Sequence, residues 1–396
     1  MKSLHTIDEP EVLHSRRFAL WELGFRPFYL AASAFAAVSI ALWMLQVSGL
    51  LGSPYLAGPV WHAHEMLFGF ALAVIVGFLF TAGRNWANQP TPTGGLLMAL
   101  VLLWLAARVL VLTPFGWLAA AANVAFPWAA AACLARPFLK ARNRRNYFFV
   151  GLLALMGVAS GFVHLTQLGV VEAPAWAGLQ LGLDVVLFIV TVMAGRVVPM
   201  FTNNGVPGAG AARHAAVEDF ALGSVLALLA IDLLGFGGGV LLLVAGIACA
   251  AHAVRWALWR PWKTARAPLV WVLHVAYCWI PVHLGLRVLA ELGLVTPSVA
   301  AHALTVGAIG GLIIGMMTRT SRGHTARPLV ADRFDVACYL LVLMAALTRV
   351  VVPVVWPVAM VESLQVSAVL WSAGFGLYAV RYWPFLTRAR LDGKPG

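Results

Sequence analysis

The chain has 396 residues, of which 62% are hydrophobic and only 11% are charged. Soluble domains carry about 25% charged residues, so this composition excludes an ordinary soluble globular protein. A mean hydropathy of +0.88 and long runs of Leu, Ala and Val are typical of a chain that lies mostly in lipid. The net charge of +12 comes from short loops between apolar runs. It therefore indicates membrane orientation and not binding to nucleic acid.

Twelve apolar runs are each long enough for a membrane span, which needs about 20 residues. In chain order they cover residues 27-50, 60-82, 95-113, 116-135, 147-170, 176-199, 216-235, 237-254, 268-291, 298-318, 334-355 and 359-380. We therefore predict an all-α polytopic membrane protein with about twelve transmembrane helices. A polar tail at 1-24, one membrane domain at 25-383 and a second tail at 384-396 complete the predicted organisation, with no cleaved signal peptide.

Basic residues are distributed unevenly between the two sides of these spans. All but three of the 27 Lys and Arg residues lie before the first span, after the last span or in the loops after even-numbered spans. Arg255, for example, is placed in loop eight. Because cytoplasmic loops carry excess positive charge, both termini are predicted to face the cytoplasm. The three exceptions are Arg108, Arg287 and Arg349, which fall near the outer ends of their spans. They are expected to reach the interface or to hold an anionic group.

The tenth span carries a glycine at every fourth position. Gly307, Gly311 and Gly315 expose the backbone on one helix face. Such a stripe is typical of a close-packing seam between two membrane helices.

Ionisable side chains inside the spans gather toward the outer side. Burying such groups in lipid is costly, so each one needs a partner or a function. The group comprises His62, His64 and Glu65 in the second span, His164 in the fifth, Asp184 in the sixth, His283 and Arg287 in the ninth, and His302 in the tenth. Neutral imidazole is a common ligand for haem iron and for copper and adds no charge to an apolar site. Histidines at similar depth therefore favour a metal centre.

The spacing of the first two histidines limits how they can act. On an ideal helix His62 and His64 point about 200° apart, so they are expected to face different partners. They supply either one ligand to each of two centres, or one ligand and one hydrogen-bonding residue. Carboxylates such as Glu65 and Asp184 can orient an imidazole or carry protons inward.

Depth separates the remaining histidines. His274 and His283 differ by about 13 Å along one helix, so at most one of them can join the outer group. His302 and His324 are about 33 Å apart if helical and cannot serve one site. Basic and polar residues near His324 form a second group at the cytoplasmic side. Three alternatives stay open for this group: it binds an anionic headgroup, it binds a quinone, or it has no ligand.

Several motifs resemble the NnrS family, from the first span to the tenth. They are Gly24-Phe25-Arg26-Pro27-Phe28, Trp61-His62-Ala63-His64-Glu65-Met66-Leu67-Phe68-Gly69-Phe70, Gly195-Arg196-Val197-Val198-Pro199 with Phe201-Thr202, Leu273-His274-Val275-Ala276-Tyr277-Cys278-Trp279, and His302-Ala303-Leu304-Thr305-Val306-Gly307-Ala308-Ile309-Gly310 continuing to Met317-Thr318-Arg319 and Gly323-His324-Thr325. The chain departs from the family pattern at Ala326, where Gly is usual, and at Asn203, where a basic residue is common.

The resemblance implies a bacterial inner-membrane protein that contains haem, expected to be b-type, and copper, and that belongs to the response to nitric oxide and often accompanies denitrification. The family's histidine positions fall on His62, His64, His164, His274, His302 and His324, which are the metal-ligand candidates. His283 is peculiar to this chain. Cofactor binding is further expected to involve Arg287.

Three functions remain open at the level of the sequence. The first is a metal-dependent handler of nitric oxide, in which His62 or His64 pairs with His302 or His164 as haem ligands. Its electrons would come from quinol or a redox protein, and Glu65 or Asp184 would carry protons as the candidate catalytic groups. The second is a secondary transporter of a metal or an anion, since twelve helices with both termini inside are also typical of that class. The third is a non-catalytic sensor or assembly factor.

Overall fold

A computed structural model describes residues 17–50 and 54–394. Within these residues the chain forms long helices, and the only extended pairing is an isolated bridge between Phe18 and Arg388. In chain order the helices are α1 (Phe25–Val47), α2 (Gly58–Ala87), α3 (Gly94–Leu110), α4 (Gly116–Lys140), α5 (Tyr147–Gln167), α6 (Ala175–Gly205), α7 (Ala215–Leu234), α8 (Gly238–Leu258), α9 (Pro268–Glu291), α10 (Pro297–His324), α11 (Arg333–Val355) and α12 (Met360–Thr387). The predicted all-α class is confirmed.

Most of these helices have the length and composition of membrane spans. Among the described residues, 10 are long and apolar enough to cross a membrane. Helix α3 is shorter, at 17 residues, and α7 carries Glu218, Asp219 and Asp232 within 20 residues. The chain is thus a polytopic membrane protein, while the count of twelve spans and the orientation of the bundle stay predictions.

Prolines and a capping box mark several helix starts. Pro268 and Pro297 stand in the first turns of α9 and α10, where a missing N–H costs nothing. At the start of α11, the Asp332 side chain accepts hydrogen bonds from the backbone N–H groups of Phe334 and Asp335. The Asp335 side chain in turn accepts a hydrogen bond from the backbone N–H of Asp332, which completes the capping box.

The sequence places Pro199 at the end of the sixth span, but α6 continues through it to Gly205. Leaving the helix there would expose several backbone groups to an apolar environment, whereas a proline in the helix frees only one. The Thr202 hydroxyl donates to the Val198 carbonyl oxygen at 2.8 Å and supports this last stretch.

Both ends of the described chain lie at the same end of the bundle. Besides the Phe18 bridge, the Arg26 guanidinium donates to the carbonyl oxygens of Leu386 at 3.0 Å and Arg388 at 2.7 Å. We call this end, with its basic loops, the inner end and the opposite one the outer end, following the predicted orientation. Most of the predicted N-terminal tail lies outside the described residues.

Helices α2, α6, α9 and α10 form the centre of the bundle, since they bury the largest shares of their surface. Two of them change winding just after a histidine. The residues that follow His64 in α2, Glu65–Ala71, form a π-helix, as do the residues that follow His302 in α10, Ala303–Gly310. Such segments are rare and often occur at functional sites.

The glycine stripe on α10 packs against α9, so the predicted close-packing seam is confirmed. A β-carbon added at any of the three glycines would overlap a side chain of α9. The nearest atoms would lie 2.5 Å away on Trp279 for Gly307, 2.7 Å away on Ala276 for Gly311, and 2.9 Å away on Leu273 for Gly315. The two central helices therefore approach closely only because these positions have no side chain.

The seam predicts opposite effects for two glycine substitutions. Gly311→Ala should lower the free energy of unfolding in detergent by about 1–3 kcal/mol, because the added methyl group overpacks the contact with Ala276. Gly246→Ala on α8 is the matched control, since a β-carbon there meets no atom within 4 Å. It should leave stability unchanged or raise it slightly, by under about 1 kcal/mol. Equal stability of the two variants would contradict the seam.

Candidate functional site

The outer end of the bundle brings four of the predicted histidines into two pairs. The first pair joins His64 of α2 to His164 near the end of α5, with ring centroids 4.9 Å apart. The second joins His62 of α2 to His302 of α10, with centroids 6.4 Å apart. One helix therefore supplies a member of each pair, because two residues about 200° apart face different neighbours.

The first pair is fully buried, and in each ring Nδ1 has a hydrogen-bond partner whereas Nε2 has none among the described residues. His64 and His164 are both 0% exposed, and their planes meet at 78°. Nδ1 of His64 lies 2.8 Å from Glu65 Oε1. A carboxylate only accepts hydrogen bonds, so this nitrogen carries the proton and Nε2 has a free lone pair. Neither Nε2 of the pair has a hydrogen-bond partner among the described residues.

His164 is oriented in a similar way by Tyr55, which precedes α2. The phenol donates to the His164 carbonyl oxygen at 3.3 Å, and its oxygen lies 3.2 Å from His164 Nδ1. With the phenol proton used on the carbonyl, Nδ1–H donates to the phenol oxygen. The Nε2 atom of His164 is then left as an acceptor, as it is in His64.

The charge of Glu65 is balanced by an arginine that the sequence predicted to reach the interface or hold an anion. Arg108 of α3 donates to Glu65 Oε1 at 2.6 Å and also to the Asn123 side chain of α4. Glu65 is 0% exposed and Arg108 is 5% exposed, so this is an ion pair within the bundle. The second carboxylate oxygen of Glu65 has no partner among the described residues.

Gly69 gives Arg108 the room to reach this carboxylate. A β-carbon at Gly69 would lie 2.6 Å from Arg108 Nη1 and 2.7 Å from the ring of Phe35. The glycine of the α2 motif is therefore required by the approach of the guanidinium to the π segment.

The second pair is more open and lies beside an indole. The rings of His62 and His302 are within 9° of parallel. Trp43 of α1 stacks on His62 with centroids 4.4 Å apart. His302 Nδ1 donates to the Ser298 carbonyl oxygen at 2.7 Å, which leaves its Nε2 unprotonated in the neutral ring.

Asp184 and Arg287 lie apart from these pairs, in a polar cluster between α6, α7 and α9. Arg287 donates both terminal nitrogens to Asp232, at 2.6 and 2.9 Å. Gln180 donates to Asp184 Oδ1 at 2.9 Å and to Asp232 at 3.3 Å. The other oxygen of Asp184 is buried without a partner among the described residues. Arg287, predicted to bind a cofactor, is thus occupied by an aspartate.

The predicted ligands His274 and His324, and the additional His283, do not join either pair. His274 lies nearer the inner end of α9, where its Nε2 is 2.8 Å from the Thr202 hydroxyl. His324 ends α10 and packs against the ring of Phe25. His283 donates from Nδ1 to the Ala300 carbonyl oxygen at 2.7 Å. Throughout residues 17–50 and 54–394, no three His, Cys, Asp or Glu side chains are grouped as a metal site.

Arg255 is not in a cytoplasmic loop, as the charge pattern placed it, but inside α8 and 1% exposed. Its Nη2 donates to Glu218 at 2.5 Å and its Nη1 to the Tyr277 hydroxyl at 3.1 Å. The same hydroxyl lies 2.7 Å from Nδ1 of the buried His252. The helix extends beyond the apolar run because Glu218 compensates the buried charge.

The sequence predicted that a carboxylate such as Glu65 can orient an imidazole, but it did not indicate the other residues that surround the histidine pairs. Trp43 and Tyr55 belong to segments with many aromatic residues, so their type carried no distinguishing signal. Asn123 is different, because it is the only amide side chain in an otherwise apolar span. Its position in α4 could have indicated a polar partner at the outer end.

Comparison with protein families gives a match over nearly the whole chain. The NnrS family profile, described as NnrS protein, matches residues 19–390. The chain therefore belongs to the NnrS family, and the matched region includes both histidine pairs. A search of curated proteins finds no matching relative.

The pairing of Glu65 with Arg108 predicts strong coupling between the two residues. Arg108→Met should lower the free energy of unfolding by about 3–5 kcal/mol, because it leaves a buried carboxylate uncompensated. The double variant Glu65→Gln/Arg108→Met should recover most of that loss, as measured by a double-mutant cycle in detergent. Asp392→Asn, which breaks the ion pair of this exposed aspartate with Arg390, should lower the free energy of unfolding far less than Arg108→Met does. Additive effects of the two buried substitutions would contradict the pairing.

Proposed function

We propose that this NnrS-family protein binds haem and copper in the bacterial inner membrane and handles nitric oxide there, by binding it and reducing it. The observation that carries the proposal is the buried pair His64 and His164, whose two Nε2 atoms have no partner while their Nδ1 atoms are fixed. Metal-bound histidines characteristically have the second nitrogen fixed in this way. Family membership supports the choice of haem and copper.

The chemistry of the first pair suits copper. Two neutral imidazoles in an apolar setting are suitable ligands for that metal. The Glu65 carboxylate fixes the His64 tautomer, and Tyr55 fixes His164. Because Arg108 already balances Glu65, the pair itself adds no charge to the bundle. We assign His64 and His164 as the copper ligands.

The second pair suits haem iron. Neutral imidazole is a common ligand for haem iron and brings no charge into an apolar site. His62 and His302, whose ring centroids are 6.4 Å apart, would be the two residues that hold the haem. Ser298 holds the His302 tautomer in which Nε2 is free to bind. Trp43 supplies an aromatic surface beside His62.

The protein contributes orientation, an apolar environment and proton-carrying groups. When bound, haem and copper supply the coordination positions and one-electron chemistry that nitric oxide requires. Nitric oxide is neutral and enters hydrocarbon readily, so a site between lipid-embedded helices needs no aqueous channel for it. Glu65 Oε2 and Asp184 Oδ2 are buried, have no partner in the described chain and can each hold a proton. Electrons would come from a quinol or a redox protein.

The two assignments predict different losses in single-histidine variants. His62→Ala and His302→Ala should each remove haem, seen as loss of the Soret and reduced-state absorption bands per mole of protein. His64→Ala and His164→Ala should each lower the copper content while the haem bands persist. Each change removes one of only two protein ligands, so the remaining imidazole cannot retain the metal alone.

His214→Ala is the matched control, because that side chain is exposed at the inner end. It should leave both the absorption spectrum and the copper content unchanged. Unaltered haem in both the His62 and the His302 variants would defeat the haem assignment. If the His64 and His164 variants lose haem while the His62 and His302 variants keep it, then His64 and His164 are the haem ligands and the copper assignment to them is wrong.

Turnover separates the proposed reduction from the alternatives. Purified protein with a quinol or an artificial electron donor should consume nitric oxide and form nitrous oxide, whereas His64→Ala should show no consumption above background. The measurement uses a nitric oxide electrode together with gas analysis. Binding without consumption would favour a sensor. Movement of metal or anion across a proteoliposome membrane without consumption would favour a transporter.

A further inference from the structure

Three arginines lie near the outer end of the bundle, and they differ in their partners. Arg108 pairs with Glu65, and Arg287 pairs with Asp232. Arg349 of α11 makes no ion pair with any described residue. Its Nη2 donates to the Ser298 hydroxyl at 3.0 Å, and its Nη1 is buried with no hydrogen-bond partner in the described chain. One guanidinium of the three therefore lacks an anion.

This arginine is too well buried to be satisfied by water alone. Only 7% of its surface is exposed. A buried charge in a membrane protein is characteristically paired or functional, because solvation by hydrocarbon is weak. The orphan Nη1 atom therefore marks a position where an anionic group completes the structure.

The position of Arg349 connects it to the second histidine pair. Ser298 accepts from Arg349, and its hydroxyl also lies 3.3 Å from His302 Nδ1. A ligand that binds between these imidazoles would thus lie beside the unpaired guanidinium.

We propose that Arg349 binds a carboxylate of the porphyrin held by His62 and His302, that is, a haem propionate. The inference rests on the proposed function, because it requires haem at that pair. The planar guanidinium matches a carboxylate in shape and charge, and its free Nη1 supplies the hydrogen-bond donor. The pairing also neutralises the propionate within the membrane.

The experiment compares haem with haem dimethyl ester, whose propionates carry no charge. Full-length protein freed of haem is titrated in detergent with each compound, and binding is followed by the Soret band. The wild-type chain should bind haem about 10- to 100-fold more tightly than the ester, as expected for one buried charge-assisted hydrogen bond. Arg349→Gln should lose this preference by weakening haem binding, while its affinity for the ester stays unchanged.

Two further variants sharpen the comparison. Arg349→Lys keeps the charge but not the planar geometry, so it should retain part of the preference. Arg333→Gln removes an exposed arginine at the inner end of the same helix and should bind both compounds as the wild-type chain does. Size-exclusion elution and helix content establish that each variant is folded.

Three outcomes would overturn the inference. The first is equal affinity of the wild-type chain for haem and ester, which needs no variant at all. The second is an undiminished preference in Arg349→Gln, which would assign the guanidinium to a free anion or another group. In both cases haem still binds, so the proposed function stands. The third is that neither compound binds to the wild-type chain, which would overturn the proposed function together with this inference.

Discussion

The cost of placing charge in hydrocarbon governs the organisation of this bundle. Ionised groups within it are stable mainly where an opposite charge from another helix meets them. Glu65 with Arg108 joins α2 to α3, Asp232 with Arg287 joins α7 to α9, and Glu218 with Arg255 joins α7 to α8. These pairs connect neighbouring helices where packing of aliphatic side chains alone gives little specificity, since lipid tails are equally apolar.

Against this background of paired charges, polar atoms that stay unpaired have particular significance. Around the outer end they include atoms of His64 and Glu65 on α2, His164 on α5 and Arg349 on α11. Unpaired polar atoms also occur elsewhere in the bundle, as in His252 and His274, but at the outer end two of them belong to imidazoles that contact each other. The candidate site is therefore identified by unused hydrogen-bonding capacity as much as by residue type.

The sequence predicted the elements of this arrangement better than their partners. Hydropathy located the helices, and helical geometry indicated that His62 and His64 face different neighbours. It could not determine that the neighbours are His302 and His164, because contacts between distant helices depend on how the whole bundle packs. The loop assignment of Arg255 failed for a related reason. An apolar run locates the lipid-compatible part of a helix. The helix can continue through a charged residue such as Arg255 when a neighbouring helix supplies an opposite charge, here Glu218.

The two π-helices have a mechanical consequence for the ligand-bearing turns. In α2 and α10 the wider winding begins directly after His64 and His302 and separates the terminal turn from the rest of each helix. In α10 the seam with α9 continues below it through Gly311 and Gly315. In each helix the π segment lies between the histidine and the regular turns beyond it, so the direction of the imidazole depends on the winding of that segment. The same two helices thus supply ligand candidates from their outer turns and packing surface from their regular turns, and the π segments join the two.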